Sequence, residues 1–135
     1  MTRDSVTVLL PVQDNTQSVE TGEITKKAVT QANGIEIANA LGNKNNSLQI
    51  YVENTTTSGG DAAASSVIIK AGNNYPNKML GDLTLALGAG KTTVILLEDI
   101  SRFENRDNTV YLDFASGFTG NVWAVAKRAG IKPVA

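Results

Sequence analysis
The pattern with the most specific chemistry lies in GDLTLALGAGKTTVILLEDISRF, residues Gly81 to Phe103. Gly88-Ala89-Gly90-Lys91-Thr92-Thr93 has the form of the end of a phosphate-binding loop. Val94 to Asp99 has the form of the acid-tipped apolar strand that holds magnesium in nucleotide hydrolases. The full loop requires a glycine at the position taken by Leu85. It must also open a helix, whose N-terminus and backbone N–H groups bind the phosphates. Thr92, Thr93, Val94 and Ile95 are β-branched and favour a strand instead. Glu98 and Asp99 follow too soon to end a second parallel strand, because a parallel crossover takes about a dozen residues or more. The dinucleotide fingerprint fails at Thr93, where its third glycine belongs. What remains is a glycine turn in an antiparallel pair, Leu83 to Leu87 with Thr92 to Leu97.

Glu98, Asp99, Glu104, Asp107 and Asp113 offer hard oxygen ligands for calcium, or a carboxylate pair for glycoside hydrolysis. Their spacing matches no calcium loop, and Arg102 and Arg106 lie among them. An ion-pair network on a surface loop is the expectation, with the two arginines where a partner could reach them. Tyr51, Tyr75, Tyr111 and Trp123 could offer flat faces to sugar rings, but aromatic residues make up only 5% of the chain, too few for a dedicated platform. Trp123 is expected to be packed, and Phe103, Phe114 and Phe118 to anchor the core or loops.

The chain has no histidine and no cysteine, so the commonest general base, the commonest zinc ligand, thiolate chemistry and disulfides are all missing. No serine stands three residues before a lysine, which removes a Ser-Lys nucleophile of the SxxK type. The expectation is a protein without catalytic residues, cofactor or metal. Twelve basic residues against 13 acidic ones give a net charge of −1. Nothing in that balance draws the protein to nucleic acid or a membrane. The apolar stretch in MTRDSVTVLLPVQDN is too short for a secretory signal, and no run reaches membrane-spanning length. Synthesis in the cytoplasm is expected.

The 135 residues suit one domain. Val6 to Val12 reads as a first strand, with Pro11 marking an edge or a strand end, and Asp14 to Thr21 reads as a loop or arm. Residues 1–27 thus form an N-terminal strand and arm, and 28–135 the body of the fold. GEITKKAVTQANG leans to extended structure, and Ile35 to Ile37 is a short strand. Leu48 to Glu53 alternates as a half-buried strand, NTTTSGGDAAASS reads as an exposed mobile loop, and Val67 to Lys70 resumes a strand. Tyr75 is displayed next to Pro76 in a turn. Thr109 to Ala115 and Asn121 to Lys127 close the chain. About eight short strands broken by Gly, Asn and Ser predict an all-β, single-domain antiparallel β-sandwich or jelly roll. In Thr92 to Leu97 both faces are apolar, so the outer one must be covered by the chain itself or by another subunit.

The order of these features resembles that of small structural proteins of tailed bacteriophages. The likeness runs from Ala28 to Lys127 through Ala32 to Ala38, Ile50 to Thr57, LTLALGAGKTTVILLEDISRF, TVYLDF and NVWAVAK. Two features depart from the family pattern: the loop around Arg102 to Asp107 is unusually charged, and the arm before Ala28 has no counterpart. The resemblance implies capsid decoration or cementing: a β-sandwich on the capsid surface of the virion, bound to the major capsid protein, assembled as a homo-oligomer with a trimer favoured. Leu9, Pro11 and Val12 of the arm and Arg102, Phe103 and Arg106 of the charged loop are the expected partner contacts. The alternative is a carbohydrate-binding or adhesion module on a tail or cell surface.

Overall fold
The computed structural model describes residues 3–9, 24–38, 48–73, 81–97, 102–107 and 109–126. In chain order the strands are β1 (Asp4–Thr7), β2 (Lys27–Ala28), β3 (Ile35–Ala38), β4 (Leu48–Asn54), β5 (Thr57–Ser58) and β6 (Asp61–Ala62). They continue as β7 (Ser65–Ile69), β8 (Leu83–Leu87), β9 (Thr92–Leu97), β10 (Val110–Phe114) and β11 (Gly120–Ala126). One sheet has the order β1-β3-β10-β7-β8, the other β2-β11-β4-β9, and β5 pairs with β6 alone. The chain is all-β, with two sheets facing across one core in a sandwich-like arrangement. Pro11, Val12, the expected arm at Asp14 to Thr21 and the turn carrying Tyr75 fall outside the described residues.

Period-two patterning builds that core. Leu48, Ile50 and Val52 of β4 are fully buried while Gln49, Tyr51 and Glu53 point outward. Val110, Leu112 and Phe114 of β10 face them from the other sheet, with Ile35, Ile37, Val67, Ile69 and Leu87 around them. Each such burial is worth about 1.5–3 kcal/mol against exposure. GEITKKAVTQANG is extended at Lys27–Ala28 and then turns at Gly34, whose φ of +72° suits glycine.

Among the described residues there are eleven strands, eight of four residues or more, as expected, and three of two residues each. Three readings of pairing and strand limits need correction. Not every pair is antiparallel, since β1 runs parallel to β3 from Asp4↔Ile35 to Thr7↔Ala38. Strand β1 also starts at Asp4 rather than Val6: at a sheet edge the ladder bonds are backbone ones, which Asp4 and Ser5 make as well as valine does. Finally, β8 and β9 are not a hairpin. β8 pairs with β7 in one sheet and β9 with β4 in the other, so Gly88–Lys91 is an arch from sheet to sheet. This lets Leu83, Leu85 and Leu87 reach the core from one side and Ile95 and Leu97 from the other.

The stretch after β4 is exposed, as expected, and forms a hairpin not expected from the sequence. Gly59 and Gly60 both have positive φ, the requirement of a two-residue hairpin turn, and they close β5 on β6. Asn54, only 1% exposed, ties this hairpin to the arch. Its Nδ2 donates to the carbonyls of Ala63 at 2.9 Å and Gly88 at 3.0 Å, and its Oδ1 accepts from Thr56 N at 3.1 Å. Asn54→Ala leaves the buried Thr56 N–H and the half-buried Ala63 carbonyl without that partner, whereas the exposed Gly88 carbonyl keeps Lys91 N, and an unsatisfied buried group costs about 1–3 kcal/mol. Urea unfolding is expected to show a loss of at least that size, and a midpoint equal to wild type would contradict the role given to Asn54.

Candidate partner-binding surface
The two outer faces differ. On the five-stranded sheet, Asp113 pairs with Arg3, whose guanidinium lies 4.4 Å from the Tyr111 ring centre, and Lys70 Nζ meets Asp82 Oδ2 at 2.7 Å. This face is polar and ion-paired. On the four-stranded sheet the register lines up Trp123, Tyr51 and Val94 in one row and Val125, Gln49 and Leu96 in the next. Leu9 extends the second row through a parallel bridge to Val125, with Leu9 N donating to Ala124 O at 2.8 Å. Ile95 and Leu97 point inward and are buried, whereas Val94 is 54% and Leu96 49% exposed. The expectation of two apolar faces on β9 therefore holds, and the outer one is open.

Trp123 and Tyr51 stack on each other, with ring centres 5.3 Å apart and planes within 6°. Lys26 Nζ lies 5.3 Å from the Trp123 ring centre and bonds Glu53 Oε2 at 3.3 Å. Trp123 is only 8% exposed, as expected of a packed residue, and Tyr111 lies on the other sheet. Of Tyr51, Tyr75, Tyr111 and Trp123, only Tyr51 and Trp123 come together among the described residues, and Tyr75 lies outside them. A cleft of about 330 Å³ opens beside Trp123, lined by Ser5, Thr7, Leu9, Thr25, Lys26 and Lys27 among others. The Trp123 indole Nε1 is buried without an acceptor among the described residues. Because that atom is closed off from solvent, a solute in the cleft cannot reach it unless the ring moves.

Two carboxylates, Glu53 and Asp82, are held in their charged form by neighbouring groups and contribute to the acid limb of stability. Glu53 is held below the usual carboxylate range by a hydrogen bond from Asn121 and then by Lys26; Asp82 is held below it by Lys70 and then by the Ala71 N–H. A carboxyl whose pKa is lower folded than unfolded stabilises fully above its unfolded value, and that contribution is lost as pH falls through its folded value. The melting temperature is expected to fall as pH drops below about 4, and to fall less steeply in Glu53→Gln and Asp82→Asn. An acid limb unchanged in both variants would contradict this assignment.

Of the expected contacts, Leu9 is half-buried and pinned to β11. Arg102 Nη2 donates to Gly81 O at 3.1 Å, and its carbonyl accepts from Gly72 N at 2.9 Å. Arg106 is exposed, and its backbone N–H donates to Asn73 Oδ1 at 2.9 Å. Phe103 is 4% exposed and belongs to the core, so it anchors this loop and is not a contact. The loop's polar frame is Asn105, buried and bonded to Thr109 through both backbone and side chain. Strand directions put Leu9 and the Arg102 loop at the same end of the sandwich, opposite the Gly88–Lys91 arch.

Asp107 accepts from the Thr109 hydroxyl, and Asp113 is taken by Arg3. Among the described residues no three carboxylates gather as a metal site would require. Lys91 sits in the arch, its N–H donating to Gly88 O at 3.2 Å, and a strand rather than a helix follows it. The feature that stands out is the β9 edge with Val94 and Leu96. Compared with protein families, with curated proteins and with solved structures, the chain finds no match.

Proposed function
We propose that this protein is a non-enzymatic structural component of a tailed-phage virion. In this reading it works as a homo-oligomer, binds the outside of the assembled capsid through the major capsid protein, and stabilises the shell. The observation that supports it is the β9 edge, six residues without a charge or proline and with Val94 and Leu96 exposed. Sheet edges normally carry such features to prevent pairing, so an unprotected apolar edge suits a protein whose work is docking on protein. The capsid as the target rests on the sequence resemblance across Ala28 to Lys127. Binding only the assembled lattice would stabilise that state by mass action.

Co-sedimentation with capsids of the phage that encodes the protein is the test, run beside a glycan panel. Saturable binding to capsids is expected. Saturable glycan binding without capsid binding would overturn the proposal in favour of an adhesion module. Trp123, stacked on Tyr51 and with Lys26 over its ring, is 8% exposed and offers little face for that alternative.

A further inference from the structure
Among the described residues each sheet has two edge strands, and they are protected unequally. β1 is short and carries Asp4 beside Arg3, and β2 is two residues long with Lys26 and Lys27 together. β8 exposes only Thr84 and Ala86. β9 is the longest of the four and exposes two large aliphatic side chains. We infer that β9 pairs with β9 of a second copy, antiparallel about a two-fold axis at Ile95, joining two four-stranded sheets into one. This deepens the reading of the β9 edge as a docking surface, and rests on it.

The sequence of the strand selects this partner and this register. Residues directly opposite in an antiparallel pair share a face, so the two copies can be offset only by even steps. With Ile95 on the axis, each exposed Val94 lies opposite Leu96 of the partner subunit, and both aliphatic side chains are covered. Centring on Val94 instead would leave Leu96 against a threonine. On the inner face Ile95 meets its own copy and Thr93 meets Leu97 of the partner subunit, which keeps the core apolar.

Charge agrees with the orientation. Lys91 immediately precedes the strand, so an antiparallel copy sets the two Lys91 side chains at opposite ends of the joined edge, whereas a parallel copy would set them side by side. The outer rows become continuous, running from Trp123, Tyr51 and Val94 into Leu96, Gln49 and Val125 of the partner subunit. An isologous contact of this kind closes at two copies, in place of the three expected from the sequence resemblance.

The test is sedimentation equilibrium of the wild-type protein, of Leu96→Lys and of Thr84→Lys, with capsid co-sedimentation of the same samples. Leu96 and Thr84 are both exposed, so neither change disturbs the core. Twice the chain mass is expected for wild type and Thr84→Lys, and the single-chain mass for Leu96→Lys. A wild-type monomer overturns the inference: if Leu96→Lys then also fails to reach capsids, the edge docks on capsid protein and the functional reading stands. Trimers, or dimers indifferent to Leu96→Lys, overturn it too. Dimers that never bind capsids support the pairing and remove the capsid role.

Discussion

Gly120→Ala is expected to lower stability by more than about 3 kcal/mol, a loss large enough to unfold many domains of this size. Gly120 opens β11 opposite Asn54, and its carbonyl accepts from Val29 N at 2.9 Å on the other side. A Cβ there would overlap the Glu53 carbonyl oxygen and come within 2.7 Å of Phe118 Cζ. The backbone on one side is part of the β4–β11 ladder, and Phe118 is stacked on Phe114 with ring centres 4.5 Å apart. Neither neighbour can yield without breaking seven residues of register or opening the core. Gly59→Ala is the contrast. Nothing lies within 4 Å of its Cβ, so only the left-handed backbone cost of about 1–2 kcal/mol applies. Urea unfolding of the two variants separates packing from conformation, and equal losses would contradict the close approach at Gly120.

Ile50→Ala is expected to cost about 2–5 kcal/mol. Ile50 is fully buried on β4, flanked by Ala124 of β11 and Ile95 of β9. Ala124 is too small to fill the space a shortened residue leaves, so the cavity term adds to the lost transfer energy. Leu96→Ala, one residue from Ile95 on the same strand but half-exposed, is expected to change monomer stability by less than about 1 kcal/mol. The pair reads the inner and outer faces of the same sheet. A Leu96→Ala loss as large as that of Ile50→Ala, measured on the monomer, would mean that the outer face is already packed by the chain itself.

Much of the fold was legible because period two is unambiguous where one face is buried. Leu48 to Glu53, Leu83 to Leu87, Thr92 to Leu97 and Thr109 to Ala115 all appear as strands within a residue or two of their sequence limits. The arch was not legible. Gly88-Ala89-Gly90-Lys91 can close a hairpin or cross between sheets, and the choice depends on β4 and β7, remote in sequence, which supply the pairing edges. The Gly59-Gly60 hairpin carried a readable signal, two adjacent residues able to take positive φ, which the Thr, Ser and Ala around it obscured.

The docking surface divides in the same way. TTVILL shows two apolar faces in sequence, and the structure opens one of them at Val94 and Leu96. Phe103, read in sequence both as a core or loop anchor and as a contact, takes the first role, because the fold buries an aromatic that the charged loop alone does not place. The outer aliphatic row through Val125 and Leu9 could not be seen, since their bridge is a contact between the two ends of the described chain.

The central claim, that this is a structural protein that strengthens a phage shell, is tested most directly by melting capsids with and without it. Differential scanning calorimetry of assembled capsids, with the protein added to saturation, is expected to show a higher capsid transition that scales with occupancy. Unassembled capsid subunits should show no such shift. An unchanged capsid transition at saturating protein would contradict the claim.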